Sequence, residues 1–78
     1  MNKTSFEILL ETFRKDAPAF FTRKEAKRLT GGLYAPGTLA NLDSRGLGAG
    51  AIRVGKSVVY EREQFIDWLR LRFHEGHK

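Results

Sequence analysis

The sequence predicts a mainly α-helical fold with one small β-hairpin, and three observations carry that expectation. Apolar residues recur at helical spacing in four separate stretches. Two of these stretches open on Thr-x-x-Glu, at Thr4–Glu7 and Thr22–Glu25, the spacing of a capping box. Between residues 51 and 60 the period changes to two short β-branched runs on either side of a Gly-Lys pair, which reads as a hairpin.

The first helix is expected from about Ser5 to Lys15. Phe6, Leu9, Leu10 and Phe13 recur at i, i+3, i+4 and i+7 and form one apolar stripe. Four large apolar side chains are costly to leave in water, so this helix either docks on the domain or mediates self-association. Pro18 ends it, because the residue before a proline avoids helical angles. The second helix follows Phe20 and Phe21, starts at the Thr22 cap and runs to about Leu29, with Ala26 and Leu29 inward and Arg23, Lys24, Lys27 and Arg28 outward. Gly31-Gly32 stops it. Pro36 suits the first turn of a third helix, through Leu39 and Leu42 to Arg45, with Gly46 placed as its C′ residue. The hairpin covers 51–60. A final helix opens on Glu61 and Glu63, with Phe65, Ile66, Trp68, Leu69 and Phe73 as its inner residues. Its acidic start and its later Arg70, Arg72 and His74 both suit the helix dipole. Residues 1–18 are thus an N-terminal helical unit, 19–73 the main domain, and 74–78 a frayed tail.

A chain of 78 residues has room for one core. It holds no cysteine, so no disulfide framework and no thiolate metal site is available. His74 and His77, its two histidines, sit in the polar tail, which leaves nothing for a zinc site or a histidine-based triad. Asp43, Glu61, Glu63 and Asp67 read as charge partners or helix-start residues rather than a carboxylate site. Glu7 and Glu11 interrupt the N-terminal apolar stretch as no signal peptide would, and no run approaches a membrane span. A cytoplasmic protein with no cofactor, no metal, no small-molecule substrate and no enzymatic chemistry is the expectation. The formal net charge of +5 points to an anionic partner, with nucleic acid first.

One motif points elsewhere. Residues 50–57, GAIRVGKS, fit the phosphate-binding pattern G-x-x-x-x-G-K-[ST]. That loop functions between a strand and a helix whose N-terminus faces the phosphates. Here the residues on both sides of Gly55-Lys56 are strand-like, so the pair is better explained as a hairpin tip than as part of a nucleotide site.

Helix, turn, helix, hairpin, helix is the order of a winged helix-turn-helix of the MerR-like type. The stretches FFTRKEAKRLTGG, PGTLANLDSRGLG and IRVGKSVVYEREQFIDWLRLR closely resemble the small excisionase-like, AlpA-like helix-turn-helix family over roughly Phe20 to Arg72. By position, Thr22 and Glu25 match that family's capped first helix, and Thr38, Leu39 and Asn41 its recognition helix. Arg45, Gly46 and Gly48 match the turn into the wing, Arg53, Gly55 and Lys56 the wing, and Tyr60, Trp68 and Leu69 the closing core. The resemblance implies sequence-specific binding of double-stranded DNA by a bacterial or phage-encoded protein. It would be an excisionase working with an integrase or with further copies of itself, or a small transcriptional regulator. The alternatives are a DNA-binding subunit of a phage packaging complex and a basic protein-interaction module. Three departures stand out: the turn 30–35 is longer than usual, Ala35 stands where many relatives have a capping Ser, and Ala49-Gly50 should loosen the step into the wing.

The candidate DNA-contacting residues follow from this reading. Asn41 and Arg45, with Thr38 and Ser44, lie on the polar side of the third helix, where Asn pairs with adenine and Arg with guanine. Arg53, Lys56 and Ser57 on the wing are placed for a minor groove or its phosphates. Thr22, Arg23 and Lys24 open the first helix of the pair, toward a phosphate or simply toward solvent. Trp68 is expected in the core. Tyr34 fits either beneath the long turn or beside DNA.

Overall fold

Residues 4–76 are described by the computed structural model, with side chains through Phe73. Four helices and a three-stranded antiparallel sheet make up a mainly α fold. In chain order they are α1 (Ser5–Asp16), β1 (Phe20–Thr22), α2 (Arg23–Leu29), α3 (Pro36–Ser44), β2 (Ile52–Val54), β3 (Ser57–Glu61) and α4 (Arg62–Gly76).

The helix boundaries have local causes. Thr4 and Thr22 each accept a hydrogen bond from the backbone N–H three residues on, and Glu7 and Glu25 reach back to the threonine N–H, so both capping boxes form. The ends of α2 and α3 share one geometry. Gly32 N–H donates to Lys27 O (2.7 Å) and Gly31 N–H to Arg28 O (3.1 Å), as Leu47 N–H does to Leu42 O (2.8 Å) and Gly46 N–H to Asp43 O (3.1 Å). These paired bonds are the Schellman closure, which needs a left-handed residue at C′; Gly31 (φ 64°) and Gly46 (φ 74°) supply it. α4 starts on a side-chain cap, since both carboxylate oxygens of Glu61 accept backbone bonds, from Glu63 N–H at 3.0 Å and Gln64 N–H at 2.9 Å.

β3 is the middle strand, with β1 on one side and β2 on the other. The register Val54↔Ser57 leaves Gly55-Lys56 as a two-residue turn. A positive φ of 62° at Gly55, the first central residue, is what the II′ hairpin turn takes. β1, pairing Phe21 with Tyr60, was not anticipated from the sequence. Three residues carry no readable period, and Phe20-Phe21 reads as the lead-in to a helix cap until its partner, some 40 residues on, is known.

The core is aromatic. Phe65 of α4 stacks on Phe13 of α1 (ring centroids 5.3 Å) and meets Phe21 of β1 (5.1 Å) and Tyr60 of β3 (5.4 Å) at steep angles. Such pairs add about 0.5–1.5 kcal/mol each beyond the area they bury. Leu10, Phe13, Leu39, Ile66 and Leu69 are all buried in the same cluster. α1 is therefore docked and belongs to the one core. Phe6 stacks on Phe73 at 4.0 Å, and Arg14 binds Glu63 through two hydrogen bonds of 2.9 and 3.3 Å, closing α1 on α4.

The step into the hairpin is pinned rather than loosened. Ala49 is buried, and the Trp68 indole N–H donates to Leu47 O at 2.9 Å. Tyr34 packs under the long turn against Trp68 (5.0 Å), and its hydroxyl accepts from Arg72 Nε at 3.2 Å. α4 takes in residues 74–76 of the segment expected to be a tail, while 77 and 78 lie outside the described residues. Among the described residues no helix is long and apolar enough to cross a membrane.

Candidate nucleic-acid interface

α3 buries Leu39 and Leu42 and leaves the opposite side to solvent. Thr38, Asn41 and Arg45, at i, i+3 and i+7, form an exposed polar stripe there. Ser44 is also exposed, but its hydroxyl donates to Asn41 O at 2.8 Å, so it arrives already satisfied. Ala35 holds the N-cap position with extended backbone angles and no side-chain hydrogen bond, which leaves the first N–H groups of α3 without a protein cap.

The hairpin stands beside α3, and the two enclose a groove of about 370 Å³ lined by Arg23, Ala40, Asp43, Ser44, Ala51, Arg53 and Val58. Arg53 reaches this groove because strand alternation puts it on the Val58 face of the sheet, opposite to Ile52 and Val54. Small residues at 40, 44 and 51 are what let the helix and hairpin approach without filling the space between them. Of the sequence-derived candidates, the groove brings together Ser44, Arg53 and Arg23. Lys56 and Ser57 are exposed at the hairpin turn, away from the groove lining. Thr22 spends its hydroxyl on the cap of α2, and Lys24 is exposed on the first turn of α2.

Arg23 does not stand on an outward-facing side as the sequence suggested. Its Nη2 donates to Asp43 Oδ2 at 2.7 Å and its Nε to the Tyr60 hydroxyl at 3.0 Å, with its side chain only 25% exposed. The Tyr60 hydroxyl itself donates to Asp43 Oδ2 at 2.6 Å. The hydrogen bond to Asp43, followed by that to Tyr60, raises the Arg23 guanidinium above its usual value. Burial first, then the bond to the Asp43 carboxylate, pushes the Tyr60 phenol up to about 12. The reason Arg23 turns inward is Tyr60, whose ring fills the core and whose hydroxyl must find partners there. The one signal in the sequence for this network was Tyr60 itself, a tyrosine expected with the core, whose hydroxyl would need a partner there.

Among the described residues, Lys24, Arg45, Arg53 and Lys56 form no ion pair, in contrast to Arg14, Arg23 and Arg62. The stretch 50–57 contains two strands and a turn, and Ser57 leads into Val58–Tyr60 in β3, so the helix that a phosphate-binding loop requires is missing there. The described residues hold no cluster of three or more His, Cys, Asp or Glu with metal-site spacing. Comparison of the chain with profiles of known families, with curated proteins and with solved structures finds no match.

Proposed function

We propose that this protein binds double-stranded DNA as a winged helix-turn-helix, without catalysing a reaction. In this reading α2 and α3 are the helix pair, α3 enters the major groove, and the β2–β3 hairpin is a wing that reaches the neighbouring minor groove. The observation that carries it is an exposed polar stripe on α3, Thr38-Asn41-Arg45, together with a hairpin whose Arg53 and Lys56 are exposed and form no ion pair, Arg53 lining the groove that the hairpin shares with α3. Asn41 and Arg45 are the base readers. Arg53, Lys56 and Lys24 are phosphate contacts that set register and make binding salt-dependent. Arg23 serves from inside the domain.

One domain of this size touches few base pairs, so a useful address needs repeated sites or several copies on DNA. With the resemblance of residues 20–72 to excisionase-like proteins, this favours an architectural role in recombination directionality or a small regulator of a mobile element or phage. The reading is tested by selecting binding sites from a random duplex library and measuring affinity by fluorescence anisotropy. A recurrent site bound at least 10³-fold more tightly than random duplex, about the low end for specific binders, is expected. Failure to bind any duplex at low salt overturns it and leaves the basic protein-interaction module.

A further inference from the structure

We propose that Asp43 is a positioning residue that fixes the spacing between α3 and the hairpin, and thereby sets DNA specificity without touching DNA. The inference rests on the DNA-binding reading above. Asp43 lies on α3, and its Oδ2 takes both the Arg23 guanidinium of α2 and the Tyr60 hydroxyl of β3. Among the described residues these are the hydrogen bonds that join α3 to α2 and to β3. The loop after α3 rests on the same residue. A Cβ at Gly48 would overlap the Asp43 carboxylate and stand 3.1 Å from the Asp43 Cα, so the backbone passes directly against it. One carboxylate thus locates α3 against the preceding helix, the second strand of the hairpin and the chain that leads into that hairpin.

Electrostatics makes this placement informative. A carboxylate on the wall of a cationic groove repels phosphate, so by charge alone it weakens DNA binding. Geometry opposes that effect. The major and minor grooves of DNA differ in width and lie at fixed separation, and a helix and wing that engage both must be held at a matching distance. The hydrogen bonds at Asp43 are charge-assisted and 14% exposed on the carboxylate side, so they hold that distance firmly.

The two effects carry opposite signs, which makes the test direct. Asp43→Asn, Asp43→Glu and Tyr60→Phe are compared with the unaltered protein on a selected site and on random duplex across a salt series, after circular dichroism and melting of each. Asp43→Asn should bind the selected site about tenfold more weakly, the size of a coupled-network loss, and random duplex as well or better. Asp43→Glu keeps the charge but lengthens the side chain, and should lose the same preference. Tyr60→Phe keeps the ring in the core and changes no charge; it should lose selected-site affinity several-fold with an unchanged salt slope, and so decides the matter if either Asp43 variant fails to fold. Asp43→Asn that tightens both DNAs alike, with Asp43→Glu and Tyr60→Phe behaving as the unaltered protein, overturns the proposal. A salt slope about one unit shallower in Arg23→Gln overturns it also, because Arg23 would then be a phosphate contact. If the unaltered protein itself prefers no site, the DNA-binding reading fails first, and visibly so.

Discussion

Replacing Phe13 by Ala tests whether α1 is a structural part of this domain. Phe13 is fully buried, stacked on Phe65 at 5.3 Å and edge-on to Phe21 at 5.4 Å, so truncation removes two ring contacts and opens a cavity at the centre of the core. A buried Phe→Ala change costs about 3–5 kcal/mol. A chain of this length has about 4–12 kcal/mol in total, at 0.05–0.15 kcal/mol per residue. The variant should therefore melt at least about 12 °C lower, at about 4–8 °C per kcal/mol. Phe6→Ala is the internal control. Phe6 is only partly buried and its partner Phe73 is exposed at the surface, so its loss should be about 1–2 kcal/mol. Urea unfolding followed by Trp68 fluorescence gives both values. If Phe13→Ala changes stability by less than about 1 kcal/mol, comparable to Phe6→Ala, α1 is an appendage and the single-core account is wrong.

Two further outcomes follow from particular side chains. Ala35→Ser puts a hydroxyl at the uncapped start of α3 and should raise stability by about 0.5–2 kcal/mol, read from chemical denaturation; no gain means that solvent already caps those N–H groups adequately. The raised phenol of Tyr60 gives a pH dependence with a definite sign. Its contribution is fully present below the unfolded value near 10 and is lost as pH rises toward about 12, where the folded phenol ionises. The loss should be on the order of 1–2 kcal/mol, reduced from the full shift because Arg23 and Asp43, which hold the hydroxyl, are themselves partly exposed to the groove. Tyr60→Phe should flatten stability between pH 10 and 12, and an equal slope in both proteins would contradict the network at Asp43.

The helices were legible because their signals are local. Both capping boxes, the helix stops at Gly31 and Gly46, and the Gly55-Lys56 turn each lie within a few residues of the feature they specify. Trp68 read as core from the spacing of Phe65, Ile66 and Leu69 and from its match to the closing core of the excisionase-like pattern. What escaped was non-local. β1 exists only because β3 supplies its partner, and Phe20-Phe21 has no period by which to show it. Arg23 looked like a surface cation because helical spacing says nothing of Tyr60 and Asp43, 37 and 20 residues away. The looseness expected at Ala49-Gly50 failed for the same reason, since the bond that pins the loop comes from Trp68 on the last helix. For the candidate interface, the sequence identified exposed residues of α3 and the hairpin, but not the groove between the two, whose walls come from four separate elements.

The central claim, that α3 reads bases while the hairpin neutralises phosphate, is tested most directly by Asn41→Ala and Lys56→Ala on a selected site and on random duplex across a salt series. Both side chains are exposed, so neither change should lower the melting temperature. Asn41→Ala should lose about 1–3 kcal/mol on the selected site alone and relax one base preference. Lys56→Ala should weaken both DNAs alike and make the plot of log affinity against log salt shallower by about one unit. Equal losses on both DNAs for Asn41→Ala, or an unchanged salt slope for Lys56→Ala, would contradict the division of labour between helix and hairpin.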